Sequence, residues 1–202
     1  MLKLKHYKAI FAITGLVGIL LFASPTLSLV LHLPGGEKFS ELWILGPTHV
    51  AGDVPFNVRA NETYTIYLGV GNYMESSAYY IVEVKFRNQT DPFPDPLSKT
   101  PNTLNPIFEY RVFLGDNDVW EREIAFSFEN VSFKNNTSTI SSIVIDGHAL
   151  HVDKDVAWDQ TNNGFNYELF FELWLYNAPA SSFQYNDRVV GLQFNMTDNK
   201  TL

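Results

Sequence analysis

The chain has no cysteine. That excludes disulfides, thiolate metal sites and a thiol nucleophile, so an exported domain of this sequence depends on the size of its core alone. Positive charge is scarce too: 14 Lys and Arg stand against 22 Asp and Glu. Three of the 14 bases, Lys3, Lys5 and Lys8, precede every acid, and the chain after residue 36 carries 22 acids against 11 bases, a net of −11. Such a balance argues against nucleic acid as a partner, and against docking onto anionic lipid beyond the basic N-terminal flank. Catalytic signatures are also missing. There is no Gly-x-Ser-x-Gly, no His-Glu-x-x-His and no phosphate-cradling Gly loop. No residue is therefore assigned to catalysis, and no cofactor is expected. Nothing in the pattern of acids marks two of them as the pair, about 5 to 10 Å apart, that glycoside hydrolysis needs.

One absence is local and informative. From Ala9 to Leu33 no Asp, Glu, Lys or Arg occurs, and IFAITGLVGILLF (10–22) is apolar almost throughout. A helix of that length reaches about 37 Å, enough to cross a hydrocarbon layer of about 30 Å. The lysines in front of it place the N-terminus inside and everything after residue 33 outside. The expected division is a basic cytoplasmic tail (1–8), a transmembrane signal anchor (9–33) and an extracytoplasmic domain (37–202). Cleavage after Thr26-Leu-Ser28 is the alternative, with the run 10–22 as the apolar part of a signal peptide.

What is abundant agrees with export. Asn-x-Ser/Thr, the acceptor pattern for N-glycans, occurs seven times: at Asn61, Asn88, Asn130, Asn135, Asn136, Asn195 and Asn199. Random placement of this chain's Asn, Ser and Thr gives about two. The competing reading is that polar loops simply contain Asn and Thr.

The exported part has period two. Tyr64, Ile66, Leu68 and Val70 form one alternating apolar row. Others are Tyr80 to Phe86, Phe108 to Leu114, Ile124 to Phe128, and Leu192, Phe194 and Met196. The longest is FNYELFFELWLY (165–176), with Phe165, Tyr167, Leu169, Phe171, Leu173 and Leu175 on its core face. No amphipathic helix follows residue 33, and turns such as Gly-Asp-Asn-Asp (115–118) separate the rows. The expected fold is mainly β: a single antiparallel Ig-like sandwich behind one N-terminal transmembrane helix. Residues 88–106 hold five prolines, which excludes a central strand and reads as an extended surface loop within that domain.

FSELWILGP (39–47) with Ala51-Gly-Asp-Val-Pro55, then NETYTIYLGVGNYMESSAYYIVEV (61–84), VWEREIAFSF (119–128), FNYELFFELWLYN (165–177) and VVGLQFNMT (189–197) follow in order. Together they resemble the extracytoplasmic part of an archaeal membrane-protein family, domain of unknown function 1616, over most of residues 39–197. The resemblance implies an archaeal source, a membrane anchor and an Ig-like sandwich similar to surface adhesion modules, and no activity. The chain departs from that family in having one membrane segment where many members have several. It also adds the Pro-rich loop and an extended segment around 129–164.

Candidate chemistry concentrates in DGHALHVDKDVAWD (146–159). Asp146-Gly147 reads as a turn between two strands. On a strand His148 and His151 diverge, whereas His151, Asp153 and Asp155 share a face and form the metal site to test against a solvated hairpin face. DQTNNG (159–164) resembles the start of a Ca²⁺ loop but lacks its third and twelfth ligands. On the second face of the longest strand, Phe170, Trp174 and Tyr176 are either packing or ligand-contact aromatics. The expected function is a membrane-anchored, glycosylated surface domain that binds another envelope component without catalysis. The alternatives are a carbohydrate-binding module through those aromatics, and a metal-dependent hydrolase through His151, Asp153 and Asp155.

Overall fold

The computed structural model describes residues 7–8, 10–19, 37–92, 95 and 99–198. It divides into two units, residues 1–38 and 39–202. In the first, the described residues 7–8 and 10–19 are helical. Among the described residues no helix is long and apolar enough to cross a membrane; most of the expected anchor, 9–33, lies outside them.

The described residues of the second unit form ten strands. They are β1 (Phe39–Leu45), β2 (Asn57–Arg59), β3 (Thr63–Tyr73), β4 (Ala78–Arg87), β5 (Phe108–Leu114), β6 (Val119–Lys134), β7 (Thr137–Ile145), β8 (His148–Ala157), β9 (Asn166–Asn177) and β10 (Ser182–Thr197). Two five-stranded sheets result, ordered β1-β3-β6-β7-β8 and β2-β10-β9-β4-β5. Among the ten described strands every pairing is antiparallel but one: β2 runs parallel to β10, with Val58 beside Met196. That exception corrects the all-antiparallel expectation; three residues after Pro55 are too few to show a period.

The alternating rows become the core. Ile66, Leu68 and Val70 of β3 and Ile124, Phe126 and Phe128 of β6 face Tyr80 to Phe86 of β4, Tyr167 to Leu173 of β9 and Leu192 to Met196 of β10. Phe128 of the first sheet stacks near Phe86 and Phe194 of the second, at 6.2 and 4.6 Å between ring centres. Burial of such side chains is worth roughly 1.5–3 kcal/mol each and drives the two layers together. Two polar seams fix their relative position. Tyr80 shares a 2.8 Å hydrogen bond with Ser40 and donates to Asn72, whose amide donates in turn to the carbonyls of Ser76, Leu114 and Gly115. Further along, the Tyr167 hydroxyl donates to the carbonyl of Ser138 at 2.8 Å.

The extended segment 129–164 continues the first sheet as β7 and β8, a hairpin turning on Asp146 and Gly147, both at positive φ (49° and 81°). The Asp146 carboxylate accepts from the Ala125 N–H and the Tyr110 hydroxyl and pairs with Arg122 at 3.1 Å, so it clamps the turn and is not free for a ligand.

Candidate functional site

Strand register turns the outer face of the second sheet into a set of cross-strand rows. The first row is Phe113 (β5), Tyr79 (β4), Tyr176 (β9) and Phe183 (β10). The second is Arg111, Ile81, Trp174 and Tyr185, and the third is Glu109, Glu83, Glu172 and Val189. Then come Lys85, Phe170 and Gly191, followed by Arg87, Glu168 and Gln193. Asn166 and Asn195 end the face, beside Asn57 of β2.

The middle of this face is buried. Glu83 and Glu172 stand directly opposite each other, an arrangement that is unfavourable for two carboxylates. Lys85 resolves it: its ammonium bonds Glu172 at 2.7 Å, forms an ion pair with Glu83 at 3.1 Å, and donates to the Asn102 carbonyl at 2.9 Å. The Asn102 N–H closes the ring by donating to Glu172 at 2.7 Å. One row on, Arg87 pairs with Glu168 at 2.7 Å and donates to the Asp91 carbonyl. Asp91 itself pairs with Lys154 at 2.7 Å. Burial would raise the Asp91 carboxyl, but bonds from Lys154 and the Asn88 N–H outweigh it and hold it below the usual range. The Pro-rich loop is thus latched at Asp91 and Asn102 over β4 and β9.

This latch decides the fate of the three aromatic candidates. Phe170 is fully buried (0 % exposed) and contacts no ligand from outside, which corrects its candidacy. Glu168 and Glu172 beside it are buried as well. Trp174 is half-buried, edge-on to Tyr185 at 5.8 Å, where burial first and then the charges of Glu172 and Asp187 push the Tyr185 phenol up to about 12. Only Tyr176 is exposed, at 39 %.

Tyr176 has company that periodicity alone did not reveal. Tyr79 lies 6.3 Å from it and Phe183 5.2 Å; Tyr79 and Phe183 are also 5.2 Å apart. Arg111 sits over Phe183 at 5.9 Å, and Phe113 is 70 % exposed. Each of these rings occupies the wet position of its strand, as Phe113 does between Val112 and Leu114. Their alignment into one row depends on register, which one strand's sequence does not carry.

At the opposite end, an open cleft of about 350 Å³ is lined by Arg87, Glu168, Asn166, Gln193, Asp159 and Asn162, with exposed Phe56 at its rim. Asp159 is occupied locally: it accepts from the Thr161 and Asn162 backbone and the Asn162 amide, bonds that hold its carboxyl below the usual range. Residues 159–164 are a turn closed by a bridge between Asp159 and Gly164.

The proposed metal ligands do not assemble. His151 pairs with Asp153 at 3.0 Å on the exposed side of β8, and His148 lies against Phe108 instead. Asp153 sits at φ 42° in a bulge that breaks the pairing with β7. Among the described residues no group of three His, Asp or Glu converges as a metal site. The three-ligand site of His151, Asp153 and Asp155 is corrected accordingly.

Six acceptor asparagines are described; Asn199 lies outside the described residues. Asn61, Asn130, Asn135 and Asn136 are exposed, all at positive φ between 51° and 62°. Asn88 and Asn195 are half-buried. All six cluster toward one end of the sandwich. Asn61 bonds the Phe128 carbonyl, Asn130 to Asn136 follow Phe128, and Asn88 and Asn195 follow Phe86 and Phe194, which pack on Phe128. The aromatic row lies at the other end, nine residues along β4 from Asn88, or about 30 Å.

No curated protein matches the chain. Among solved structures, a beta-glucosidase from Listeria innocua in complex with glucose is similar at 9 % identity and a TM-score of 0.42, over 80 % of this chain and 16 % of that one. The complex between zinc 2-glycoprotein and prolactin inducible protein from human seminal plasma gives 8 % identity and a TM-score of 0.38, over 81 % and 99 % of the chains. At these TM-scores neither likeness bears on activity. A family model does match, over residues 33–140, which spans β1 to β6 and the start of β7 and is shorter than the 39–197 expected. The chain belongs to the family described as domain of unknown function DUF1616.

Proposed function

We propose that this chain is a membrane-anchored surface module, without catalysis, that works by binding another envelope protein through the aromatic end of its second sheet. Residues 9–33 are the anchor in this reading, with the N-terminus inside, the sandwich outside and sugars on its loops. An Ig-like arrangement is supported by the strand order: β1-β3-β6 on one sheet, β5-β4-β9-β10 on the other, and a β7-β8 hairpin added at the first sheet's edge. The observation that carries the binding role is the row Phe113, Tyr79, Tyr176 and Phe183. Four rings in line with one exposed at 70 % form an apolar patch of the kind that marks contact sites. The rings meet at 53° to 64° and so present ridges and notches suited to protein side chains, not the coplanar platform that stacks on sugar rings.

The test is co-purification of the full chain from its own membranes in mild detergent. Phe113→Ala combined with Tyr176→Ala lowers recovery of the partner at least tenfold, about 1.4 kcal/mol, while cooperative unfolding persists. Absence of any reproducible partner, or equal recovery with the double variant, refutes the reading. The polar cleft with Phe56 at its rim supports a second reading, carbohydrate recognition. That reading predicts retention on a glycan array that Phe56→Ala abolishes and Phe113→Ala leaves intact.

A further inference from the structure

The acceptor asparagines differ from one another in two independent ways: whether the amide is held at both its oxygen and its nitrogen, and whether the hydroxyl two residues on is reachable. We infer that in the folded protein sugar is carried at Asn61, Asn130 and Asn135, and that Asn88, Asn136 and Asn195 stay bare. This rests on the exported orientation proposed above.

The chemistry sets the requirement. A bond forms between the asparagine Nδ2 and the anomeric carbon of a sugar held on a lipid phosphate. The carbon–oxygen bond to that phosphate breaks, the phosphate leaves with the electron pair, and the amide gives up one proton to the transferase. The pattern also demands the downstream hydroxyl, so both groups must be accessible and the product must fit.

Asn195 fails on both criteria. Its Oδ1 accepts from the Phe165 N–H at 2.9 Å and its Nδ2 donates to Asn57 at 3.1 Å. A Cβ added to Gly164 would run into its Oδ1 and lie 2.9 Å from its Nδ2, so the amide is packed against the Gly164 backbone and held at both ends. Its hydroxyl partner Thr197 is engaged with the Val58 carbonyl. Asn88 fails on its partners. Its Nδ2 donates to the Asp155 carbonyl, and its Oδ1 accepts from the Thr90 N–H, the Thr90 hydroxyl and the Asp91 N–H, so acceptor and hydroxyl are tied to each other. Asn136 is exposed, but its hydroxyl partner Ser138 is fully buried beneath the Tyr167 phenol.

The other three pass both criteria. Asn61 and Asn135 sit in exposed turns, and no side-chain hydrogen bond holds either amide among the described residues. Asn130 gives one amide hydrogen to Ser142 at 2.9 Å and has a second to lose. Thr63 and Ser132 are exposed and Thr137 is half-exposed. The three sugars fall on the first sheet, at the end away from Phe113 and Tyr176, and the aromatic row stays bare.

The experiment is peptide mapping by mass spectrometry on the full chain from its native membranes, with hydroxyl variants that leave the turn asparagines in place. Sugar is expected on the peptides bearing Asn61, Asn130 and Asn135. Thr63→Ala, Ser132→Ala and Thr137→Ala each remove one glycan from the intact mass, whereas Thr90→Ala and Thr197→Ala remove none. Sugar on Asn195, Asn88 or Asn136 in protein that still unfolds cooperatively overturns the inference, and so does a chain unmodified at every site. Protease treatment of intact cells from the same culture separates the two failures. Digestion of the sandwich leaves the exported orientation standing, and protection refutes it as well.

Discussion

The two sheets share one core but treat their outer faces differently. The first sheet is one-sided: Glu121 and Glu123 of β6 are exposed and accept from the half-buried Trp43 and Tyr67. The second is covered on both sides at its centre, where Lys85 (2 % exposed) and Glu172 (1 %) lie under a latched loop, and opens toward its two ends, the aromatic row and the polar cleft. Charge on the first sheet is solvated and nearly free; charge on the second is desolvated and must be paired in full. Outward alternation therefore means water on one sheet and a second interior on the other.

The comparison can be broken most sharply at Lys85. Lys85→Ala leaves two opposed carboxylates without their cation and the Asn102 carbonyl without its donor, so a loss of about 3–5 kcal/mol is expected in denaturant unfolding. Replacing Lys85, Glu83 and Glu172 together by apolar residues costs less than removing the lysine alone, because no charge is then stranded. Next come the glycines on the outer faces. Gly191→Ala drives a Cβ into the buried Glu168 carboxylate and costs about 2 kcal/mol. Gly69→Ala meets only the Trp43 indole, on an edge strand where it can swing out, and costs about 1 kcal/mol or less.

Asp91 supplies a pH test. Its carboxyl is held lower in the folded chain than in the unfolded one. The stability it gives is therefore present above the unfolded value of about 3.9 and lost as pH falls through the lower folded value. Thermal unfolding from pH 6 down to 2 should show an acid slope that Asp91→Asn reduces. Smallest of all, Glu123→Ala on the first sheet should change stability by no more than about 0.5 kcal/mol. A larger effect there would erase the contrast between the two faces.

The core was legible because burial on one side writes a period of two, and the rows of β3, β4, β5, β6, β9 and β10 are the buried residues found. The turn at Asp146-Gly147 was legible from residue chemistry. The three-residue β2 and its parallel pairing were not, since so short a strand carries no period. Lys85 read as a wet residue between Val84 and Phe86, because its covering loop arrives from elsewhere in the chain. Tyr79, Phe113 and Phe183 likewise were scattered aromatics until register aligned them. The acceptor asparagines had two causes that the sequence could not separate. Positive φ alone favours Asn at Asn61, Asn130, Asn135 and Asn136, so part of their excess comes from backbone geometry.

The latched loop also determines where foreign peptide can be grafted. A surface tip is the usual place to splice in an epitope tag, and by prolines and position the β4–β5 connection looks like one. Yet Asn102 and Asp91 are tied into the ion-pair layer beneath, so a tag between them would pull that layer apart. The tight bend at Asn135 and Asn136, which closes no such network, is where a label can enter and leave the fold intact.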